Sequence, residues 1–153
     1  LVNGLRTYAG LPHRIEFAGE KQSIKFYDDS KGTNVGSVLR ALETFAQPVI
    51  LLLGGRDKEG DFKMLQPMLK TKAKKVILFG EARERIASLI GNQVPVLQKT
   101  KLREAIEVAY RDAQPGDVVL LSPAAPALTN LRIIKNAVII LKRSWGRCDG
   151  CGL

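Results

Sequence analysis

The feature that most restricts the fold of this chain is a set of short, uninterrupted apolar runs separated by amphipathic segments. The runs occupy residues 49–53, 76–79 and 118–121. Segments with helical periodicity occupy residues 61–72, 82–91 and 101–113. Continuous apolar strands are typical of parallel sheets that are buried on both faces. The alternation therefore predicts an α/β fold with a Rossmann-like, mostly parallel sheet and helices on both of its faces.

The beginning of the chain adds a different element. Residues 14–19 and 23–28 have the character of short strands joined at residues 20–22, which predicts a β-hairpin ahead of the sheet. A shorter strand is predicted at residues 94–97. Pro95 within it favours an edge position, because proline cannot donate a hydrogen bond to a neighbouring strand. A chain of 153 residues is expected to form one domain with a sizeable core.

The most informative loop is Asp-Asp-Ser-Lys-Gly-Thr-Asn at residues 28–34, followed by a helical pattern that begins at Val35. Thr33 or Asn34 can cap that helix, and free N–H groups beside Lys31 suit a phosphate or a carboxylate. The adjacent carboxylates can accept from sugar hydroxyls or hold a metal ion. An ordinary Asx-type turn with a good cap explains the same residues. Ligands in such folds bind at the carboxyl ends of strands, and this position favours the functional interpretation.

A second loop at the same edge of the predicted sheet contains Gly54, Gly55 and Lys58. The glycines permit close approach of the backbone, and the lysine supplies a point charge for a carboxylate or phosphate. A glycine pair that simply turns the chain is the alternative. The sequence contains neither GxxxxGK[ST] nor GxGxxG, and no serine lies in a GxSxG elbow. The sequence therefore supports neither a self-sufficient P-loop nor a dinucleotide fingerprint, and the triad of a serine hydrolase fails as well.

The net charge of +9 raises the question of nucleic-acid binding. Residues 126–153 carry five basic residues and one acidic residue, and the remaining +5 is interspersed with acids. Without a run of like charges or a set of clustered aromatics, we expect no nucleic-acid partner. We likewise expect no membrane segment and a cytoplasmic location, since no apolar run approaches the roughly 20 residues that a membrane helix needs and no signal-peptide pattern opens the chain. The Cys148-x-x-Cys151 pair has no second pair of ligands, so we expect no metal site.

Four motifs occur in a fixed order, at residues 10–14 (GLPHR), 29–34 (DSKGTN), 53–58 (LGGRDK) and 115–124 (PGDVVLLSPA). Together they resemble the C-terminal domain of the Mur ligases, most closely of those that join D-glutamate to UDP-N-acetylmuramoyl-L-alanine. The resemblance covers residues 1–125. Because the chain begins with Leu1 rather than methionine, we also expect it to be part of a longer protein.

The resemblance implies one lobe of a three-domain enzyme of peptidoglycan synthesis. In such ligases a central domain carries the P-loop and the Mg²⁺ sites, an N-terminal domain holds the UDP-sugar, and the third domain closes over both. ATP phosphorylates the substrate carboxylate, and the amine of D-glutamate attacks the acyl phosphate to form an amide. The resemblance implies ATP and Mg²⁺ bound mainly by the missing central domain, UDP-N-acetylmuramoyl-L-alanine bound through the missing domains, and no catalytic or metal-binding residue in this domain alone.

The resemblance also assigns site residues. Arg14 would contact the phosphate or ribose of ATP, and Asp29 would face its ribose. Lys31 and Asn34 would line the nucleotide-facing turn, and His13, beside Arg14, can help to bind an anion.

For D-glutamate, the resemblance assigns Thr33 and Lys58 to one of the two carboxylates. A dianionic amino acid requires fixed cations and hydroxyl donors, which these two side chains supply. Closure of the domain would then position its amine for attack.

Beyond Ala124 the sequence departs from the family. There the family has a segment similar to Ser-Pro-Ala-Cys-Ala-Ser-Phe-Asp-Gln-Phe-Lys-Asn-Tyr, whereas this chain reads APALTNLRII from residue 125. Loss of one T from the cysteine codon converts TGC-GCC-AGC-TTT-GAC-CAA-TTT-AAG-AAT into codons for Ala-Pro-Ala-Leu-Thr-Asn-Leu-Arg. A TGA stop would be hidden at Cys148-Asp149. We therefore predict a family domain at residues 1–125 and a frameshifted tail at 126–153.

The frameshift would remove a serine and an aromatic side chain that complete the D-glutamate pocket in the family. Ala127 and Ile134 stand at those positions. The isolated chain is therefore expected to be inactive. The alternative function is a stand-alone nucleotide- or phosphate-binding module of the same fold without catalysis. An upstream reading frame that encodes a GK[ST] motif would separate the ligase from that module.

Overall fold

The computed structural model describes residues 14–56 and 59–124. Within them six strands form one sheet: β1 Glu16–Lys21, β2 Ile24–Asp28, β3 Val49–Gly55, β4 Ala73–Gly80, β5 Val96–Lys99 and β6 Val118–Ala124. Their order across the sheet is β1-β2-β6-β3-β4-β5. β1 pairs with β2 in antiparallel fashion, and the other neighbours pair in parallel. The predicted mostly parallel sheet with a preceding hairpin is confirmed.

The strands are connected by helices α1 Val35–Glu43, α2 Gln66–Lys72, α3 Arg83–Ile90 and α4 Leu102–Asp112. The helix predicted at residues 61–72 is divided into a 3-10 helix, Phe62–Leu65, and α2. Pro67 lies in the first turn of α2, where its missing N–H interrupts no helical hydrogen bond. None of the helices in the described part of the chain is long and apolar enough to cross a membrane.

Helices cover both faces of the sheet, as predicted. Successive side chains of a strand point to opposite faces, so the apolar run of β3 serves two cores. Leu51 and Leu53 are fully buried in a core with α1, α2 and α3, while Ile50 and Leu52 pack in a second core against α4. The predicted apolar face of α4 lies entirely in this second core, with Leu102, Ala105, Ile106 and Ala109.

The hairpin turn differs from the prediction. β1 continues through Lys21, and the turn is formed by Gln22 and Ser23 rather than by residues 20–22. Both turn residues have positive φ, 51° and 61°, which matches the twist of two-residue hairpins but is uncommon without asparagine or glycine. The Tyr110 hydroxyl of α4 donates a hydrogen bond of 2.7 Å to Oε1 of Gln22. This long-range contact stabilises a turn that local sequence does not favour.

Strand order determines which loops meet. β6, the last described strand, lies between β2 and β3, with Leu121 opposite Asp28 of β2. The turn after β2 is therefore adjacent to the carboxyl end of β6. At the other side of the sheet, β5 is an edge strand as Pro95 predicts, although it begins at Val96 rather than at residue 94.

Candidate functional site

The turn after β2 is attached to the end of β6 through its main chain. The N–H of Asp29 donates to the carbonyl oxygen of Leu121 at 2.7 Å, and the N–H of Ala124 donates to that of Gly32 at 3.0 Å. Within the turn, the N–H of Gly32 donates to the carbonyl oxygen of Asp29 at 2.7 Å. The backbone of this turn is thus fixed by hydrogen bonds at both of its ends.

The Asp28 side chain forms hydrogen bonds within the turn. It is fully buried and accepts hydrogen bonds from the N–H of Ser30 at 2.9 Å and from its hydroxyl at 3.2 Å. This geometry is the Asx-type turn considered from the sequence. Among residues 14–56 and 59–124, no three His, Cys, Asp or Glu side chains are grouped so that they can hold a metal ion. Both carboxylates of this pair, Asp28 and Asp29, accept hydrogen bonds from the turn and its surroundings.

The Asp29 side chain points in a different direction. It is only 5% exposed, and one of its oxygens, Oδ2, accepts a hydrogen bond of 2.8 Å from the fully buried hydroxyl of Ser122. The main-chain N–H of Ile15 also donates to this carboxylate. Burial raises the pKa of Asp29 above its usual value, and repulsion by Asp28 acts in the same direction. The donors Ser122 and Ile15 and the positive charge of Arg14 act to lower the pKa, but burial dominates.

Gly32 leaves space for this arrangement. A Cβ atom at this position would overlap Oδ2 of Asp29 and would lie 2.9 Å from the Asp29 carbonyl oxygen. Any other residue would therefore displace the turn or its carboxylate. Glycine is required here for close approach, which explains its place after Lys31 in the loop.

The turn leads directly into α1, and Asn34 caps this helix. Its Oδ1 accepts from the N–H of Ser37 at 2.9 Å and from the Ser37 hydroxyl at 3.1 Å. Of the two predicted caps, Thr33 and Asn34, the structure therefore uses the second. The capped end of α1 lies at the carboxyl edge of the sheet, where the partial positive charge of the helix end favours an anion.

A cleft of about 200 Å³ lies between the turn, α1 and the residues that precede β1. Its charged lining consists of three cations and one acid, namely Arg14, Lys31, Arg40 and Asp29. Its remaining lining residues are Ile15, Gly32, Ser37 and Ala41. Within the described residues the side chains of Lys31 and Arg40 form no ion pair. The cleft thus combines excess positive charge with one buried hydrogen-bond acceptor, which suits a ligand with an anionic group and a hydroxyl group.

The structure brings together three of the residues that the sequence indicated, Arg14, Asp29 and Lys31, in one cleft. Thr33 and Asn34 belong to the same turn but do not line this cleft. His13 and Lys58 lie outside the described residues.

Sequence reasoning missed two participants. Arg40 lines the cleft because it lies one helical turn after Ser37 on the same face of α1. That spacing was visible in the sequence. The contact of Ser122 with Asp29 was not, because it depends on β6 lying beside β2.

Comparison with known proteins places these features in a family. The family described as "Mur ligase, glutamate ligase domain" matches residues 13–125. The chain is 55% identical over 123 residues to the UDP-N-acetylmuramoylalanine--D-glutamate ligase of Syntrophus aciditrophicus, which covers 80% of this chain and 27% of that protein. It is 46% identical over 135 residues to the ligase of the same name from Desulfatibacillum aliphaticivorans, with 88% and 30% covered. The chain therefore spans between a quarter and a third of these relatives.

Solved structures show the same fold. The UDP-N-acetylmuramate-alanine ligase MurC from Thermotoga maritima superimposes with a TM-score of 0.69 at 14% identity, covering 93% of this chain and 32% of that one. The MurF ligase of the same organism, solved in complex with ADP, gives a TM-score of 0.63 at 18% identity, with 94% and 33% covered. At these identities the likeness concerns the fold alone.

Proposed function

The chain belongs to the Mur ligase glutamate ligase domain family, and from that premise we propose that it is the C-terminal domain of an ATP-dependent D-glutamate ligase. The complete enzyme would add D-glutamate to UDP-N-acetylmuramoyl-L-alanine in peptidoglycan synthesis. The named relatives support this assignment, and the share of their length that the chain spans supports a role as one domain. The cytoplasmic location predicted from the sequence is part of the same proposal. A stand-alone binding module is not favoured, because the relatives are ligases.

The observation that carries the proposal is the cleft of Arg14, Lys31 and Asp29. Its cations suit the phosphates of ATP, and the buried carboxylate is an acceptor for ribose hydroxyls. Asn34 would contribute by fixing the start of α1 rather than by direct contact. We add Arg40 to the candidate ATP-binding residues, because it supplies the third cation of the same cleft.

The domain would position substrates rather than react with them. In the proposed reaction a substrate carboxylate oxygen attacks the γ-phosphorus and ADP leaves. The amine of D-glutamate then attacks the acyl carbon, phosphate leaves, and the nitrogen loses a proton. Thr33 and Lys58 remain the candidates for holding D-glutamate, and His13 remains a candidate beside Arg14. Mg²⁺ would be bound mainly by the central domain, as the resemblance to the family implies.

We further propose that residues 125–153 are translated out of frame. The codon argument supports this, and the region that the family model matches ends at residue 125. Ala127 and Ile134 would then replace a hydroxyl and an aromatic group of the D-glutamate pocket. The candidate ATP-binding residues all precede the change of frame. The frameshift would therefore alter the D-glutamate pocket and leave the candidate ATP-binding residues unchanged.

One experiment tests both parts of this proposal. The complete gene is expressed in two forms, as it stands and with one T inserted after the codon of Ala124. D-glutamate-dependent release of phosphate from ATP is measured with UDP-N-acetylmuramoyl-L-alanine as acceptor. We expect activity from the repaired form only. Activity in the unrepaired form would contradict the frameshift proposal, and inactivity of a folded, repaired enzyme toward this acceptor would contradict the ligase assignment.

A further inference from the structure

The contact between Asp29 and Ser122 joins two strands that are distant in sequence. The two residues are separated by 93 positions, yet the Ser122 hydroxyl lies 2.8 Å from Oδ2 of Asp29. Both side chains are buried, Ser122 completely and Asp29 to within 5%. A serine hydroxyl with no access to water needs an internal partner, and an ionised carboxylate at this depth needs donors. The Ser122 hydroxyl therefore supplies a donor to the buried carboxylate, and the Asp29 carboxylate supplies the acceptor that the buried hydroxyl needs.

The surroundings leave the carboxylate little freedom. Its main chain is bonded to Leu121, and a second donor, the N–H of Ile15, approaches from the residues before β1. Ile15 has φ 49°, which is uncommon for a β-branched residue. Gly32 also lies so close that a Cβ atom there would overlap Oδ2. The carboxylate is thus held by two donors and a close backbone, while Asp29 still lines the cleft.

From this geometry we propose that Ser122 is a positioning residue, which holds the Asp29 carboxylate in its orientation toward the cleft. A carboxylate has about four lone-pair positions, so those that Ser122 and Ile15 do not use stay available for a ligand in the cleft. The role of Ser122 is indirect, because Ser122 does not itself line the cleft. The part of this inference that concerns ATP depends on the proposed function, whereas the part that concerns the carboxylate does not.

Several charged groups surround Asp29, and a titration must distinguish their effects on its pKa from the effect of the Ser122 hydrogen bond. Asp28 repels the ionised form, while Arg14 stabilises it. Lys31 and Arg40 line the same cleft from the turn and from α1. None of these charges is altered when the Ser122 hydroxyl is removed, so a change in the titration of Asp29 can be ascribed to the hydrogen bond.

The first test measures the carboxylate alone, without any ligand. The ¹³C chemical shift of the Asp29 side chain is followed against pH in the 153-residue chain and in Ser122→Ala. We expect the pKa of Asp29 to rise further in the variant, because a donor to the charged form is lost. Ser88→Ala serves as the matched control, since it removes an exposed hydroxyl bonded to the Arg85 carbonyl oxygen on α3. An unchanged titration of Asp29 in a folded Ser122→Ala would overturn the proposal.

The second test is a double-mutant cycle with Mg²⁺–ATP, followed by amide chemical shifts that report weak binding. We expect Ser122→Ala and Asp29→Asn each to weaken binding about tenfold. The double variant should be no weaker than Asp29→Asn alone, because Ser122 acts only through that carboxylate. Additive losses would indicate a merely structural role and reject positioning. If ATP shifts no cleft amide in the unmodified chain, the assignment of this cleft to ATP fails, and the pKa measurement still decides the role of Ser122.

Discussion

The N–H of Ala124 donates a hydrogen bond of 3.0 Å to the carbonyl oxygen of Gly32, and this bond attaches the turn after β2 to the end of β6. Ala124 is the last residue before the predicted change of frame, and its φ of 58° turns the chain out of the strand. Within residues 14–56 and 59–124, the contacts that shape the candidate ATP cleft come from residues that precede the proposed change of frame. If that proposal holds, the frameshift would leave these contacts in place.

The role of Gly32 can be tested with a single methyl group. Gly32→Ala places a Cβ atom against the Asp29 carboxylate, and we expect it to cost about 1–3 kcal/mol of unfolding free energy. The displaced carboxylate should also weaken Mg²⁺–ATP binding about tenfold, measured by amide shifts. Gly36→Ala is the control, since its Cβ meets only Oδ1 of Asn34 at 3.4 Å in an exposed helical position. Equal effects of the two substitutions would contradict the steric argument.

The contribution of Arg40 can be separated from that of general surface charge. Arg40→Gln removes one cleft cation, and we expect about threefold weaker Mg²⁺–ATP binding, because the arginine is exposed and partly screened by solvent. Lys70→Gln makes the same change of net charge at an exposed position of α2 that does not line the cleft, and it should leave the affinity for Mg²⁺–ATP unaltered. The difference between the two variants should decrease as salt concentration rises. Identical affinities would remove Arg40 from the site.

Much of the fold follows from local pattern. The run at β3 is apolar on both faces because the strand is central, and Pro95 correctly indicates an edge strand because a missing N–H is tolerated there. The turn at Gln22 and Ser23 was not predictable in the same way. Its positive φ values fall on two residues that do not favour them, and the contact of Gln22 with Tyr110 joins residues that are distant in sequence.

In the candidate site too, some residues could be identified from local motifs and others could not. Arg14, Asp29 and Lys31 were identifiable because their motifs are continuous in sequence. Ser122 occurred only within the motif at residues 115–124, and its contact with Asp29 was not predictable, since it depends on β6 entering the sheet between β2 and β3. Strand order is a property of the whole sheet, so no local pattern of residues reveals this contact.

The N-cap of α1 gives a prediction for stability. Asn34→Ala removes the acceptor of the Ser37 N–H, and we expect a loss of about 1 kcal/mol in unfolding free energy, measured by denaturant titration. Asn34→Asp keeps an acceptor at the same place and should retain most of the stability. If the alanine and aspartate variants lose equal stability, the amide of Asn34 has a role other than capping.

The ion pair between Lys75 and Asp112 gives a prediction for pH dependence. Nζ of Lys75 lies 2.7 Å from Oδ2 of Asp112, with side chains 24% and 20% exposed. The hydrogen bond from Lys75 is the main reason why the pKa of Asp112 is lowered below 3.8, and Arg111 acts in the same direction. A lowered pKa in the folded state means that this stabilisation is present above pH 3.8 and is lost as the pH falls through the folded-state value.

We therefore expect Asp112→Asn to cost about 0.5–1 kcal/mol of unfolding free energy at pH 7, a figure that allows for solvent screening, and almost nothing at pH 2. Denaturant titrations of both proteins at the two pH values measure this, and a loss of equal size at pH 2 would show that packing, not charge, makes the contribution.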